Sequence, residues 1–345
     1  MNGPVDPSNR RLRRQGIEWA ARFTARTARV VAACMFRRWR DRVRAPFEDL
    51  FARMPAPERD ALARRHWLYR AEYLAAQMRL GWLEPQELRE FCLTRVDLEG
   101  FGELENVSPG EAVVAFSAHY GHFLLATLCL ILRSPKHMRI HILYNAPPVT
   151  GLLPTVQELL PMLGRPVESI HIDHAGTLRA LRALRRGDLV ILLADHVPFD
   201  GSEIHIPFLG RLMTAMRGTA FLALRSNARL LPFYGFLRGR DRFTVRVEPS
   251  LRLARTGSEE QDLYETTAGV FASIERQVLA HPEQWLFWDR VMGQIAENVA
   301  PPAGREDTGL QLERLAEGLD ASQTPAAALI QRVAAELRGS RSGVA

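Results

Sequence analysis

Apolar residues follow two different periods along this chain, and the change between them separates two structural regions. From Ile17 to about Leu93 they recur at helical spacing. Further on, short β-branched runs alternate with longer amphipathic segments, as strands and helices do. The runs predict strands at Val113–Phe116, Arg139–Leu143, Ser169–Ile172, Leu189–Leu193, Leu230–Phe236 and Phe243–Val247, and the segments between predict helices at 122–132, 150–163, 175–184, 216–226 and 260–279. This alternation predicts an α/β fold with a mixed, mostly parallel sheet covered by helices, joined to a basic amphipathic helical N-terminal region.

The same pattern divides the chain into four parts. Residues 1–16 are polar and basic and predict a disordered tail. The helical N-terminal region covers 17–95, and the α/β domain covers 96–298. Proline and glycine residues after the domain predict a linker, which is followed by short C-terminal helices, over 299–345.

Composition restricts the partners of the protein more than its fold. Of the 345 residues 47% are hydrophobic, which is enough for a full core. The three cysteines lie far apart and leave an odd count, so we expect no disulfide framework. The net charge of +6 comes mostly from arginine, which favours an anionic phospholipid surface or an acidic carrier protein, although GC-rich coding would explain it equally well. Since no nucleic-acid-binding motif is present, we expect no nucleic acid partner.

The first predicted helix has the pattern of a membrane-surface helix. No run of roughly 18 apolar residues occurs, so we expect no transmembrane helix, and the sequence predicts no secretory signal. On a helical wheel one apolar side is flanked by arginines; the apolar side carries Trp19, Phe23, Val30, Val31 and Cys34, and the flank carries Arg22, Arg26 and Arg29. Such helices lie on anionic bilayers. The alternative is a helix packed on its own domain with a solvated arginine face.

Two chemically suggestive residues follow predicted strands. His119 stands where the strand Val113–Phe116 passes into a helix through a Ser-Ala-His-Tyr-Gly turn, a common position for a catalytic base. Asp195 and His196 follow the strand Leu189–Leu193. Because the carboxyl ends of parallel strands meet at one edge of a sheet, we expect His119 and Asp195 to share a crevice. The alternative for His119 is a core histidine bonded to a backbone carbonyl.

Metal ions and nucleotides are not expected as cofactors. The spacings His119-x-x-His122 and His171-Ile-Asp-His174 resemble ligand sets only superficially. Asp173 is better explained as the cap of the next helix. The chain has no P-loop and no Gly-x-Gly-x-x-Gly motif that opens a helix, so we expect no cofactor.

Several blocks in a fixed order between about Leu50 and Arg290 resemble a known family. They are Val96-Asp97-Leu98-Glu99-Gly100-Phe101, Ser117-Ala118-His119-Tyr120-Gly121, Ala194-Asp195-His196, Ile206-Pro207-Phe208-Leu209-Gly210 and Pro282-Glu283-Gln284-Trp285. Together they resemble the lipid A late acyltransferases, the lauroyl and myristoyl transferases of lipopolysaccharide synthesis, within the lysophospholipid acyltransferase-like group. Outside this resemblance, Trp285 is most simply explained as a packing residue.

The resemblance implies a chemistry and also shows where this chain departs from it. In the family a histidine base takes a proton from an acceptor hydroxyl, which attacks an acyl thioester. An acid five positions after the histidine orients the imidazole, but here that position is Leu124. His122 stands where the family commonly has asparagine, and Asn145 stands where many relatives have arginine. The block with Asp195 replaces an Asp-Gln-Asp-like turn.

The resulting site prediction has two groups of residues. The catalytic residues are His119 as base and Asp195 as the acid that replaces the missing one. The substrate-binding residues are Tyr120, Gly121, His122, Asn145, His196, Gly210 and Arg217. The expected donor is acyl carrier protein or acyl-CoA, and the expected acceptor is a lipid or glycolipid hydroxyl. The resemblance implies a peripheral location on the cytoplasmic face of the inner membrane, at an anionic membrane surface.

The missing acid leaves three hypotheses open. The enzyme is active with another acid, the fold binds lipid or carrier protein without turnover, or the pocket serves a different acceptor through the pair His119 and His122. A hydrolase that releases free fatty acid is a further alternative. We favour active acyl transfer, and the non-catalytic binder is the main competitor.

Overall fold

The structure is a computed structural model that describes residues 7–51, 54–145, 154–196, 203–209, 211–238 and 242–288. Its helices are α1 (Pro7–Leu50), α2 (Ala56–Trp82), α3 (Pro85–Thr94), α4 (Gly102–Glu105), α5 (Phe123–Arg133), α6 (Val156–Leu159), α7 (His174–Arg185), α8 (Gly218–Ser226) and α9 (Glu259–Ala280). Its strands are β1 (Val96–Glu99), β2 (Val113–Ser117), β3 (Ile140–Tyr144), β4 (Val167–His171), β5 (Leu189–Leu193), β6 (Glu203–Phe208), β7 (Arg211–Met216), β8 (Arg229–Leu237) and β9 (Phe243–Val247). Short 3₁₀ helices lie at Leu160–Leu163 and Pro282–Gln284.

Within the described residues, seven strands form one sheet in the order β1-β9-β8-β2-β5-β3-β4. Neighbouring strands are parallel except for β8 and β9, which are antiparallel. Strands β6 and β7 form a separate antiparallel hairpin. Helices pack on both faces of the sheet. The predicted mixed, mostly parallel α/β fold is therefore confirmed.

The centre of the sheet sets the position of the functional residues. Strand β2 is buried at all five positions, because Val-Val-Ala-Phe-Ser offers side chains for both faces of a covered sheet. Its register with β5 pairs Val113 with Leu189 and Ser117 with Leu193. The two strands therefore end level with each other at the same edge. His119 and Asp195 each follow two residues beyond these ends.

The predicted strands match observed ones within about two residues, but three strands were missed. Strand β1 is a short edge strand of alternating character, Val-Asp-Leu-Glu, with only its first position buried. The hairpin of β6 and β7 follows a stretch, 197–202, that lies outside the described residues. The predicted helix 150–163 begins outside them as well, and its described part is helical only from Val156.

The N-terminal region begins with a helix much longer than predicted. Helix α1 starts at Pro7, so residues 7–16 are helical where the sequence predicted a disordered tail. It packs against α2, where the Trp67 indole donates a hydrogen bond to the Ala32 carbonyl over 2.7 Å. Residues 1–6 and the predicted linker and tail of 299–345 lie outside the described residues. No helix in the described part of the chain is long and apolar enough to cross a membrane.

Candidate active site

The turn between β2 and α5 is fixed by a close backbone approach. Gly121 has a φ of +56°, and a Cβ atom there would lie 1.5 Å from the Gly235 carbonyl oxygen. The next residue donates its backbone N–H to that same oxygen over 3.0 Å. On the other side, Gly121 N–H donates to the Gln284 carbonyl over 2.9 Å. Only glycine fits this position, and the turn is held between β8 and the segment after α9.

The structure brings His119 and Asp195 together, as predicted from the two strand ends. His119 Nδ1 lies 2.9 Å from Asp195 Oδ1. The two carboxylate oxygens also accept the His119 backbone N–H over 3.0 and 2.9 Å. Because the carboxylate accepts hydrogen bonds, the imidazole proton is on Nδ1, which leaves the Nε2 lone pair to act as a base.

Asp195 is buried, and its charge is stabilised by several donors. The Trp285 indole N–H donates to Asp195 Oδ2 over 3.0 Å. Burial alone would raise the pKa of this carboxyl, but the His119 imidazole, together with hydrogen bonds from Trp285 and the His119 backbone, holds the pKa below its ordinary value. The carboxylate therefore stays ionised beside the imidazole and can stabilise an imidazolium that forms there.

Aromatic rings restrict the orientation of the His119 side chain further. The Phe287 ring stacks on the imidazole with centroids 3.9 Å apart and an interplanar angle of 16°. The Phe123 ring meets it edge-on at 5.1 Å. The His119 side chain remains 19% exposed. It is thus held in one orientation while part of the side chain stays accessible.

A mainly apolar cavity of about 320 Å³ opens beside His119. Leu124, the residue in the place of the family's acid, lines it. The cavity also contains Asn145 and His196, whose Nδ2 and Nε2 atoms lie 3.2 Å apart. The remaining described lining residues are Gln77, His119, Phe123, Thr127, Ile142, Leu143, Tyr144, Pro154, Thr155, Val156, Gln157, Ile172, Ile191, Leu192 and Leu193. The arrangement joins an oriented base to a space suited to a hydrocarbon chain.

Comparison with known proteins identifies the family of the chain. The family model described as bacterial lipid A biosynthesis acyltransferase matches residues 10–291. The chain belongs to this family. The protein is therefore, in general terms, an acyltransferase of lipid biosynthesis. The family resemblance inferred from the sequence is confirmed.

Solved structures were compared as well. The chain is similar to the 1-acyl-sn-glycerophosphate (LPA) acyltransferase PlsC from Thermotoga maritima, with 13% identity and a TM-score of 0.34. That match covers 74% of this chain and 97% of the other. No curated protein sequence matches the chain.

Three residues predicted to bind substrate have structural positions in this family member instead. Tyr120 is fully buried, and its hydroxyl donates to the His281 carbonyl over 3.4 Å. Gly121 serves the close approach to β8. His122 is 1% exposed and caps α5, because its Nδ1 accepts the Leu125 backbone N–H over 3.3 Å. Burial lowers the pKa of His122 to about 4, so it is a neutral cap. The predicted pairing of His119 with His122 is not formed.

The other predicted site residues divide into two groups. Asn145 and His196 line the cavity, and their predicted contact with substrate stays a prediction. Arg217 is exposed directly before α8 and does not line the cavity, so its predicted contact with an acceptor is not supported. Gly210 lies outside the described residues.

Sequence reasoning missed the part that tryptophan plays at the site. Trp285 was explained as packing, and it is indeed buried, but its indole also positions Asp195. The signal was present in the Pro-Glu-Gln-Trp block. The partner, however, lies 90 residues away in the chain, and no local pattern connects the two.

The suspected metal spacings have structural explanations. Asp173 caps α7 by accepting the Gly176 backbone N–H over 2.6 Å, so the predicted cap is confirmed. His171 lies 3.6 Å from the same side chain. Among the described residues no group of three histidine, cysteine or acidic side chains is arranged to hold a metal ion.

Proposed function

We propose that this protein transfers a fatty acyl group from a thioester donor, acyl carrier protein or coenzyme A, to the hydroxyl of a lipid or glycolipid. His119 is the general base, and Asp195 takes the part of the acid that is missing at Leu124. The contact of 2.9 Å between the imidazole and the Asp195 carboxylate carries this proposal. An acid from the neighbouring strand end thus orients the histidine in place of one from the following helix.

The chemical step uses these groups and the two substrates. His119 Nε2 removes the proton of the acceptor hydroxyl, whose oxygen forms a bond to the thioester carbonyl carbon. The carbonyl electron pair moves to oxygen, and a tetrahedral oxyanion forms. When the oxyanion collapses, the carbon–sulfur bond breaks and the thiolate takes the proton from the His119 imidazolium. The products are an ester and a free thiol.

The cavity explains why an apolar residue at position 124 is compatible with this function. Leu124, Ile142 and Ile191 give it apolar walls next to the base. Burying a hydrocarbon chain there contributes about 0.8 kcal/mol for each methylene group. A carboxylate at position 124 would have to be desolvated against that chain, whereas Asp195 lies outside the cavity lining. The acid has moved to a position where it contacts the base but not the chain.

A membrane surface is the proposed site of action. In α1 the large apolar side chains Trp19, Phe23, Val30 and Val31 are 50–68% exposed, although α1 packs against α2 through its other side. The rings of Trp19 and Phe23 stack on each other at 5.3 Å. Arg22, Arg26 and Arg29 are exposed beside them. We propose that this face lies on the anionic cytoplasmic face of the inner membrane, where the lipid acceptor is found.

Mass spectrometry of host lipids tests the activity. Lipids are compared between the wild-type strain, a deletion strain and deletion strains complemented with His119→Ala or His141→Ala. We expect an acylated lipid that is present with wild type and His141→Ala and absent with His119→Ala and in the deletion strain. His141 is the matched control, because it is also bonded to an aspartate but lies at the opposite edge of the sheet.

Other outcomes would identify the competing functions. If His119→Ala restored the wild-type lipids and phenotype, the protein would be a binder of lipid or carrier protein without turnover. If free fatty acid accumulated in place of an acylated lipid, it would be a hydrolase. In either case the proposed transfer is wrong.

Vesicle sedimentation tests the membrane contact. Phosphatidylglycerol vesicles should bind the wild type, whereas phosphatidylcholine vesicles should bind it weakly. The double variant Trp19→Ser, Phe23→Ser should lose most binding. The control, Leu178→Ser with Leu279→Ser, replaces exposed apolar residues elsewhere on the surface and should bind normally. Equal binding of both double variants contradicts the contact.

A further inference from the structure

One face of the His119 imidazole is covered by a phenyl ring. The Phe287 ring lies nearly parallel to it, with centroids 3.9 Å apart and an interplanar angle of 16°. A benzene ring has negative potential over its faces and attracts a cation that lies within about 6 Å of its centroid. The face of Phe287 therefore lies where it would stabilise a positive charge on the imidazole.

The backbone fixes the position of Phe287 against the catalytic turn. The Gly121 N–H donates to the Gln284 carbonyl over 2.9 Å. The Leu286 N–H donates to the His119 carbonyl, also over 2.9 Å. Phe287 follows directly after this paired segment. Its ring is thus held over the imidazole by bonds to the same turn that presents the base.

Phe287 and Asp195 contact different parts of the same imidazole. The Asp195 carboxylate lies 2.9 Å from Nδ1, at the edge of the ring, whereas Phe287 covers a face. Among the described residues, the titratable side chains that contact the His119 ring are Asp195 and His196, whose ring centroid is 6.1 Å away. Phe287 offers a second stabilising contact for an imidazolium, one that adds no further buried charge.

We propose that Phe287 stabilises the imidazolium that forms on His119 during acyl transfer and is a positioning residue that acts through the base. The inference rests on the proposed function. Before the reaction the imidazole is neutral and gains little from the phenyl face. When Nε2 takes the proton of the acceptor hydroxyl, the ring becomes a cation and its attraction to that face grows. When the thiolate takes this proton, the imidazole is neutral again.

Fluorinated phenylalanines at position 287 separate charge stabilisation from packing. Fluorine withdraws electron density from the ring face and changes its shape little, so residues with one and with three ring fluorines are compared in the full-length protein. Transfer is measured from lauroyl-CoA and from lauroyl acyl carrier protein to lipid vesicles from the deletion strain. We expect kcat to fall stepwise, by about tenfold with three fluorines, with an unchanged KM for the donor, because the cation forms only during the reaction. Trifluorophenylalanine in place of Phe101, a buried ring that does not line the cavity, is the matched control and should leave kcat unchanged.

Natural residues at position 287 make the same comparison. Phe287→Leu removes the aromatic face and should lower kcat by about 10- to 30-fold, whereas Phe287→Trp keeps such a face and should retain most of kcat. The pH profile of kcat/KM gives a second measurement. Its acidic limb should lie about one unit lower in Phe287→Leu, because the cationic form of His119 loses a stabilising contact. Asp195 and His196 are present in both proteins, so they do not account for the difference.

The outcomes for this inference differ from those for the proposed function. If the fluorinated proteins have wild-type kcat while His119→Ala is inactive, the proposed function stands and Phe287 only packs against the base. A KM that rises while kcat stays constant would show that Phe287 contacts the substrate without stabilising the imidazolium, and that also overturns the inference. If wild type shows no transfer, or His119→Ala retains it, both fall together.

Discussion

Two histidine–aspartate pairs lie at the two ends of the same strand, and only one of them is suited to catalysis. At the carboxyl end of β5, Asp195 contacts His119, and just before its amino end Asp188 contacts His141 over 3.0 Å. The second nitrogen of His141 also lies 3.0 Å from a carboxylate, that of Glu168. His141 is bonded through Nε2 and has a carboxylate beside Nδ1 in a side chain that is 3% exposed, whereas His119 keeps Nε2 for a substrate proton. The chemistry of such a pair depends on whether the second ring nitrogen of the histidine is available to a substrate.

Burial and counter-charge separate the two pairs further. The His141 side chain is 3% exposed and that of His119 is 19% exposed. Arg186 donates to Asp188 over 3.0 Å and partly neutralises its charge. Asp195 instead receives neutral N–H donors from Trp285 and the backbone, so its negative charge acts on the imidazole alone. A wide cleft of about 1100 Å³ lies beside His141, which shows that cavity size alone does not identify the site.

Alanine at each histidine gives the largest expected difference. His119→Ala should lower transfer by at least about 10⁴-fold, because both the base and the proton donor for the thiolate are lost. His141→Ala should leave kcat within about twofold but destabilise the fold by about 1–3 kcal/mol, since the buried Asp188 carboxylate loses one partner and keeps Arg186. Transfer assays and urea unfolding of both variants measure this. Equal losses of activity at equal stability would remove the distinction between the pairs.

The two aspartates provide the next comparison. Asp195→Asn should lower kcat by about 10³- to 10⁴-fold, because an amide neither fixes the Nδ1–H tautomer nor stabilises the imidazolium. Asp188→Asn should leave kcat close to wild type and lower the free energy of unfolding. If Asp195→Asn keeps wild-type kcat, an acid other than Asp195 orients His119. The proposal that Asp195 replaces the acid missing at position 124 is then wrong.

Part of this site followed from the sequence, because strand ends are set by local patterns. The buried runs of β2 and β5 predicted where each strand ends, and a parallel sheet then places His119 beside Asp195. The position of His122 did not follow, although it is only three residues from His119. A positive φ at Gly121 turns the chain, so that the His122 side chain is buried at the start of α5. That φ depends on the contact with Gly235, far along the chain.

The missed edge strand β1 has the same origin. Only the first of the four residues of β1 is buried, and its pairing with β9 joins positions more than a hundred residues apart. Trp285 likewise reaches Asp195 from the far end of the domain. Local periodicity carries no information on such contacts. The family resemblance showed that the block with Trp285 is shared with the family, but it did not show which residue Trp285 contacts.

His122 provides a third case for the comparison, because it is a buried histidine with no carboxylate partner among the described residues. Its pKa in the folded protein is about 4, against an ordinary value of 6.5, because burial disfavours the charged form. The unfolded chain therefore binds a proton that the folded one rejects, and stability is lost as pH falls from 6.5 toward 4. The expected loss is on the order of 3 kcal/mol. His122→Asn, which keeps a capping side chain, should lose less stability than wild type between pH 7 and pH 4 in urea unfolding. Parallel losses would show that this histidine is not the acid-sensitive group.

The smallest effect expected is at the indole that holds Asp195. Trp285→Phe removes one donor, but the carboxylate keeps the His119 backbone and side chain as partners, so kcat should fall only about tenfold, with KM unchanged. Trp288→Phe is the control, because its indole donates to the Pro282 carbonyl over 2.7 Å and does not contact Asp195. The neutral Trp285 N–H orients the Asp195 carboxylate without cancelling its charge. Arg186, in contrast, partly neutralises the charge of Asp188. If Trp285→Phe and Trp288→Phe have the same kcat, the backbone alone orients Asp195. The difference between the two pairs then comes down to the nitrogen that His119 leaves available to a substrate.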